Sequence, residues 1–227
     1  MTRAARTTRI GVVADSHVGE YLDEMPAAVL EALEGCDLVL HAGDLSVPAV
    51  IDVIAQVAPV VAVRGDHDRL GGLALPETAV VAAGGHRIGV THGRRPRPVD
   101  GAVIAAAVIA GRALHFRAGL HRSLARRVGP VDAVVYGHWH EPLIARHGGT
   151  LMFSPGAVCP WGNLEGGRPP RPGLAGVGDR GVRRFRWQLG PEAMRPCVGI
   201  IEAGSSGLRP RVIPLPPAGG GGGAATP

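Results

Sequence analysis

Three short apolar runs in the first third of the chain each end abruptly on polar residues. Residues 9–14 run into Asp15, residues 37–40 into His41-Ala42-Gly43-Asp44, and residues 60–63 into Arg64-Gly65-Asp66-His67-Asp68. Runs this short, rich in Val, Ile and Leu, predict strands buried on both faces. Between them, residues 21–33 carry Leu22, Met25, Val29, Leu30 and Leu33 at helical spacing, with Gly35 as the stop, and residues 47–57 repeat the pattern. Strand, helix, strand, helix, strand predicts a parallel sheet with crossover helices.

The pattern then changes. Residues 79–83 and 87–91, joined at Gly84-Gly85, predict a hairpin whose second strand leads into His92-Gly93. Residues 100–127 predict helix, broken near Gly111 or Gly119. Residues 133–136 predict another buried strand, ending at Gly137-His138-Trp139-His140. Residues 143–146 and 151–153, around Gly148-Gly149, predict a second hairpin, and residues 197–202 and 208–213 a closing one. The stretch between Cys159 and Pro196 is rich in Gly, Pro and Arg and predicts a long surface loop, with a short strand at 182–189. One domain over residues 1–217, with an insertion at about 160–196 and a disordered Gly-rich tail at 218–227, is the organisation expected.

Composition narrows the classes. A chain of 227 residues, 45% apolar, buries a single-domain core. No apolar run is long enough to span a bilayer, and no signal-peptide pattern opens the chain, so no membrane partner and a cytoplasmic location are expected. Cys36, Cys159 and Cys197 are widely spaced and follow no disulfide or zinc-site pattern. The charge of +5 comes from arginine alone, since the chain has no lysine; it suits anionic ligands. An aromatic content of 4% argues against a base-stacking surface, so nucleic acid is a weakly supported partner. A homo-oligomer is left open.

The polar clusters carry the chemistry. Asp15 with His17, Asp44, Asp66 with His67, His92, and His138 with His140 each follow a predicted strand. Ligands of open α/β sheets bind beyond the carboxyl ends of strands, so these residues converge on one edge. Several carboxylates gathered there repel one another, and divalent cations compensate. The mixed oxygen and nitrogen donors suit manganese, iron, zinc, cobalt or nickel better than calcium. Two such ions roughly 3.5–4 Å apart would bridge a hydroxide and clamp a phosphoryl group for in-line displacement.

At these residues the chain resembles the calcineurin-like metallophosphoesterase superfamily. The family's ordered motifs read here as Asp15-Ser16-His17, Gly43-Asp44, Gly65-Asp66-His67-Asp68, His92-Gly93 and Gly137-His138-Trp139-His140. The compact length and the Val63-Arg64-Gly65 lead-in resemble its bacterial and archaeal phosphodiesterase branch, which also holds the non-enzymatic retromer subunit. The resemblance implies an α/β fold, a four-layer αββα sandwich of two mixed sheets flanked by helices. It also implies two divalent metal ions, with manganese foremost, and hydrolysis of a phosphodiester or a monoester. Asp15, His17, Asp44 and His140 would hold one ion, and Asp44, Asp66, His92 and His138 the other. His67 would act as general acid, oriented by Asp68. An inactive metal-binding interaction module and a nuclease are the alternatives.

Two residues depart from the family. Asp66 stands where the family has Asn; its extra negative charge is expected to tighten metal binding and weaken binding of an anionic substrate. Trp139 replaces a small polar residue and is expected to wall the pocket. His41 is read as a core or supporting histidine rather than a ligand, and His86, His115, His121 and His147 as surface residues. Cys159, without a basic neighbour, is not read as a nucleophile.

Overall fold

The computed structural model describes residues 7–68, 74–110, 119–160, 173 and 195–216. The chain order is β1 (Thr8–Val13), α1 (Ala27–Leu33), β2 (Leu38–His41), α2 (Ala49–Ala55), β3 (Val60–Ala62), β4 (Thr78–Ala83), β5 (His86–Thr91), α3 (Arg97–Ala110), α4 (Leu120–Val128), β6 (Ala133–Val135), β7 (Pro142–His147), β8 (Thr150–Pro155), β9 (Cys197–Gly204) and β10 (Gly207–Pro214). They form two mixed five-stranded sheets, ordered β10-β9-β1-β2-β3 and β4-β5-β6-β8-β7. In the first, β1, β2 and β3 are parallel; in the second, β5, β6 and β8 are.

Side-chain alternation divides the interior into three apolar layers. Val13, Val39, Val198 and Ile200 face α1 and α2, where they meet Val29, Leu33, Val50 and Ile54. Their strand neighbours Ile10, Val12, Leu40 and Ile201 point the other way and pack against Ile88, Val90, Ala133, Val135, Leu151 and Phe153 of the second sheet. Val134, Tyr136 and Met152, on that sheet's far side, meet Leu120 and Leu124 of α4. Helix, sheet, sheet, helix is the αββα sandwich. The two-sided burial explains why the strands read as continuous apolar runs instead of alternating ones.

Two sequence expectations shift. The helix expected over residues 21–33 starts at Ala27, because Pro26 lacks an N–H and disfavours helical backbone at the residue before it. The segment freed by that late start, with Glu20 and Tyr21, remains loop beside the site. Helix α3 begins at Arg97, three residues before the expected start, and the next helix follows Gly119, whose φ is 64°. Both Gly-Gly hairpin turns have positive φ at both residues (56° and 83°; 55° and 87°), as type I′ turns require. The strand expected at 182–189 lies outside the described residues. Among the described residues no helix is long and apolar enough to cross a membrane.

Candidate metal centre

The turns that leave β1, β2 and β6 are bent in an unusual way. Among the described residues six non-glycine residues have positive φ, and five of them are expected ligands: Asp15 (52°), His17 (48°), Asp44 (59°), His138 (74°) and His140 (53°). Left-handed backbone costs a side-chain-bearing residue of order 1–3 kcal/mol, so the surroundings must enforce it. They do so by lacing the turns together. Asp15 N–H donates to Gly43 O and His17 N–H to Asp44 O, both at 3.0 Å, and Gly137 N–H donates to His92 O at 3.1 Å. His138 N–H donates to the Asp15 carboxylate at 2.9 Å, joining the two sheets.

The seven expected ligands converge in two groups. Ligand atoms of Asp15, His17 and His140 lie within 4.8 Å of one another, and so do those of Asp66, His92 and His138. Asp44 stands between the groups. Its Oδ2 is 3.7 Å from His17 Nε2 and 3.2 Å from His92 Nε2, while its Oδ1 accepts the His67 N–H at 2.9 Å. Gly65 permits that placement: a Cβ there would overlap the Asp44 main-chain N and carboxylate.

Ring orientation is fixed from behind. His92 Nδ1–H donates to Ala42 O at 2.9 Å and His140 Nδ1–H to Pro160 O at 3.1 Å, which turns each Nε2 toward the carboxylates. His138 is turned the other way round, with Nδ1 3.7 Å from Asp66 Oδ2 and Nε2 3.8 Å from Asp100 Oδ2. Both ring nitrogens of His17 are buried without a hydrogen-bond partner. Buried polar atoms are normally satisfied, and a cation among Asp15, His17, Asp44 and His140 would satisfy Nε2. The donor set therefore fits divalent ions.

Protein groups alone already polarise the centre. Burial works to lower the pKa of His92, but the Asp44 carboxylate beside it outweighs burial and lifts it to about 10. Asp44 is correspondingly held far below the usual carboxylate range: burial works to raise it, and His92 prevails. Burial and the neighbouring His92 charge push His138 down to about 3. His41, fully buried, is lowered to about 3, chiefly by burial. It accepts the Gly43 N–H at Nδ1 and meets Ser16 Oγ through Nε2, so it is a neutral prop beneath the turn and not part of the ligand set.

Two roles differ from expectation. Asp68 does not orient His67; its fully buried carboxylate accepts the main-chain N–H groups of Asp44 (3.0 Å), Ser46 (2.8 Å) and Gly65 (2.8 Å). Glu20 takes the place against His67, with its oxygens 2.7 and 2.9 Å from Nδ1. Glu20 also accepts from Ser46 Oγ at 3.1 Å and forms an ion pair with His17 Nδ1 at 3.5 Å. Burial works to raise its pKa, but the adjoining imidazoles of His17 and His67 bring it down to about 2. The helical spacing had placed Glu20 just outside a helix and concealed this role. Arg94 is a second residue that motif reading missed: its Nη1 is 3.1 Å from Asp66 Oδ1. Trp139 donates through Nε1–H to Gly93 O at 3.3 Å and lies under the Arg95 guanidinium, 5.6 Å from its ring centre.

Known proteins share this architecture. Residues 8–169 match the family model of the calcineurin-like phosphoesterase superfamily domain. A probable metallophosphoesterase of Methanothermobacter thermautotrophicus is 29% identical over 148 residues, which is 65% of this chain and 76% of that protein. In fold, the chain is similar to vacuolar protein sorting 29 of Cryptosporidium parvum, with a TM-score of 0.63, 19% identity and 93% of each chain covered. It is also similar to a protein described as a novel archaeal phosphodiesterase (TM-score 0.51, 20% identity, 91% of this chain and 100% of that one). On the family match, which spans most of the chain and every turn that bears an expected ligand, this protein belongs to the calcineurin-like phosphoesterase superfamily.

Proposed function

We propose that this protein hydrolyses a phosphodiester at a two-ion centre. Asp15, His17, Asp44 and His140 would hold one divalent ion and Asp44, Asp66, His92 and His138 the other, with manganese the first candidate. Ions bound there would supply a water nucleophile at neutral pH and offset charge on the phosphoryl oxygens. The observation that carries the reading is the pair of three-residue ligand groups with Asp44 between them, bordered by an imidazole outside both sets. That imidazole is His67, one third exposed, whose Nδ1 is held by Glu20. With Nδ1–H committed to the carboxylate, Nε2 is the atom that can pass a proton to a departing oxygen, the requirement for a general acid.

The experiment is hydrolysis of bis(4-nitrophenyl) phosphate and 4-nitrophenyl phosphate by metal-stripped protein reloaded with manganese, beside Asp44→Ala. The expected result is metal-dependent turnover that favours the diester and disappears in the variant. Turnover that survives Asp44→Ala, or that needs no metal, overturns the reading. Its rival is an interaction module that keeps a metal site, favoured by the likeness to vacuolar protein sorting 29. Metal binding with no turnover of either ester would select that rival.

A further inference from the structure

The strand ends that present Asp66 and His92 also present arginines. Arg64 precedes Asp66 by two residues, and Arg94 and Arg95 follow His92 by two and three. With Arg127, from the last turn of α4, they line a cavity of about 200 Å³ whose wall includes Asp66 and His92 themselves. The cavity therefore adjoins the candidate metal centre and shares two of its ligand residues.

Its chemistry is that of an anion site. Among the described residues, four arginines and two carboxylates, Asp66 and Glu77, line it, with no aromatic ring except the His92 imidazole. Pockets for drug-sized ligands run from roughly 300 to 1,000 Å³ and are mostly apolar, so this one suits a single small charged group better than a base or a sugar. The guanidinium groups are held in place without being used up. Arg94 gives Nη1 to Asp66, Arg64 gives Nη2 to Glu77 and the buried Arg95 gives Nη1 to Asp100, while the planar forks of Arg94 and Arg64 have further N–H donors. The Arg64–Glu77 pair is exposed enough to yield to a stronger partner, with Glu77 63% exposed. Arg127 has no carboxylate partner among the described residues.

We infer that this arginine pocket binds a second, terminal phosphate of the substrate, so that the preferred substrate is a phosphodiester with a phosphate monoester on the adjoining unit. The inference rests on the phosphoesterase reading and sharpens it. Asp66 joins the two halves of the site, since its Oδ2 faces His138 while its Oδ1 holds Arg94. The negative charge that Asp66 brings in place of the family's Asn is thereby met by a cation from the pocket, which offsets the loss of anion binding expected from sequence.

The test is calorimetric binding to the manganese-loaded full chain of a thymidine dinucleotide joined by an uncharged methylphosphonate, with and without a 5′-phosphate. The expected preference for the phosphorylated form is on the order of tenfold, about one charge-assisted hydrogen bond. It should vanish in the Arg64→Gln/Arg127→Gln double variant and persist in Arg209→Gln, a distant exposed arginine on the closing hairpin. Equal affinities in the unsubstituted protein overturn the inference. So does a preference that survives the double variant, which would put the phosphate on the metal ions, or one that Arg209→Gln also abolishes, which would make it a general effect of net charge. Turnover of the corresponding natural diesters separates the two claims. Preference without turnover would sink the phosphodiesterase reading and leave the pocket standing, and turnover without preference would do the reverse.

Discussion

Replacing Asp68 separates two accounts of the same motif. The motif reading made it the residue that orients His67, but the structure makes it the acceptor for three main-chain donors in the turns that carry Asp44 and Gly65. One of its oxygens serves Asp44 and Gly65, and the other serves Ser46. In Asp68→Asn the amide oxygen can keep the first two, but the amide nitrogen then faces the Ser46 N–H, donor against donor. Losing one bond to a charged acceptor and leaving one buried donor unsatisfied costs about 2–3 kcal/mol. Asp68→Ala strands all three donors and costs on the order of 4 kcal/mol or more, a large part of the roughly 5–15 kcal/mol that holds a domain together. The loss falls where backbone is already strained, for Asp44 and Ser46 have φ of 59° and 71°. Urea unfolding should show a lowered midpoint with little change of slope for Asp68→Asn and a larger drop for Asp68→Ala. A wild-type midpoint in Asp68→Asn, accompanied by a fall in kcat, would refute the argument and return Asp68 to His67.

Four further outcomes are expected. Gly65→Ala puts a methyl group against the Asp44 main-chain N and carboxylate, so it should weaken manganese binding by about 10–100-fold in a metal titration and lower the thermal midpoint of the metal-free protein as well. Glu20→Gln keeps the shape beside His67 but removes the charge, and kcat for a diester should fall about tenfold or more with little change in manganese affinity; unchanged kcat would remove Glu20 from the mechanism. Asp66→Asn frees Arg94 and removes one charge among the ligands, so manganese affinity should fall while phosphate inhibits more strongly; if neither moves, the role given to this departure is wrong. Burial pushes the Cys197 thiol up to about 11, and its S–H donates to Pro155 O, so a thiol reagent at pH 8 should leave Cys197 unmodified until the protein unfolds.

What could be read in advance follows from the physics of each feature. The parallel strands announced themselves because burial on both faces demands uninterrupted apolar runs, and the ligand side chains follow where those runs stop. The convergence of Asp15, Asp44, Asp66, His92 and the His138/His140 pair on one edge was legible for that reason. The hairpins were legible because Gly-Gly meets the backbone requirement of a type I′ turn. The partners of the ligands were not. Asp68 and Glu20 are both carboxylates near His67, and only the three-dimensional course of the turns decides which meets the imidazole and which meets main chain. The helical spacing after residue 21 was real, but Pro26 outweighed it and left the preceding segment as a loop. Arg94 is nowhere near Asp66 in sequence, and no local pattern marks the pair.

The seam between the sheets has a consequence for how the molecule is made. In the first ligand group Asp15 and His17 come from one sheet and His140 from the other; in the second, Asp66 comes from one and His92 and His138 from the other. The hydrogen bond that joins His138 to Asp15 spans 123 residues of chain. If the proposed ions bind there, a ribosome that has released only the first sheet's expected ligands would expose an incomplete set for either ion, with weak purchase on any passing cation. Selection among competing metals would then be deferred until both sheets have closed, when geometry instead of the order of encounter would decide which ion stays.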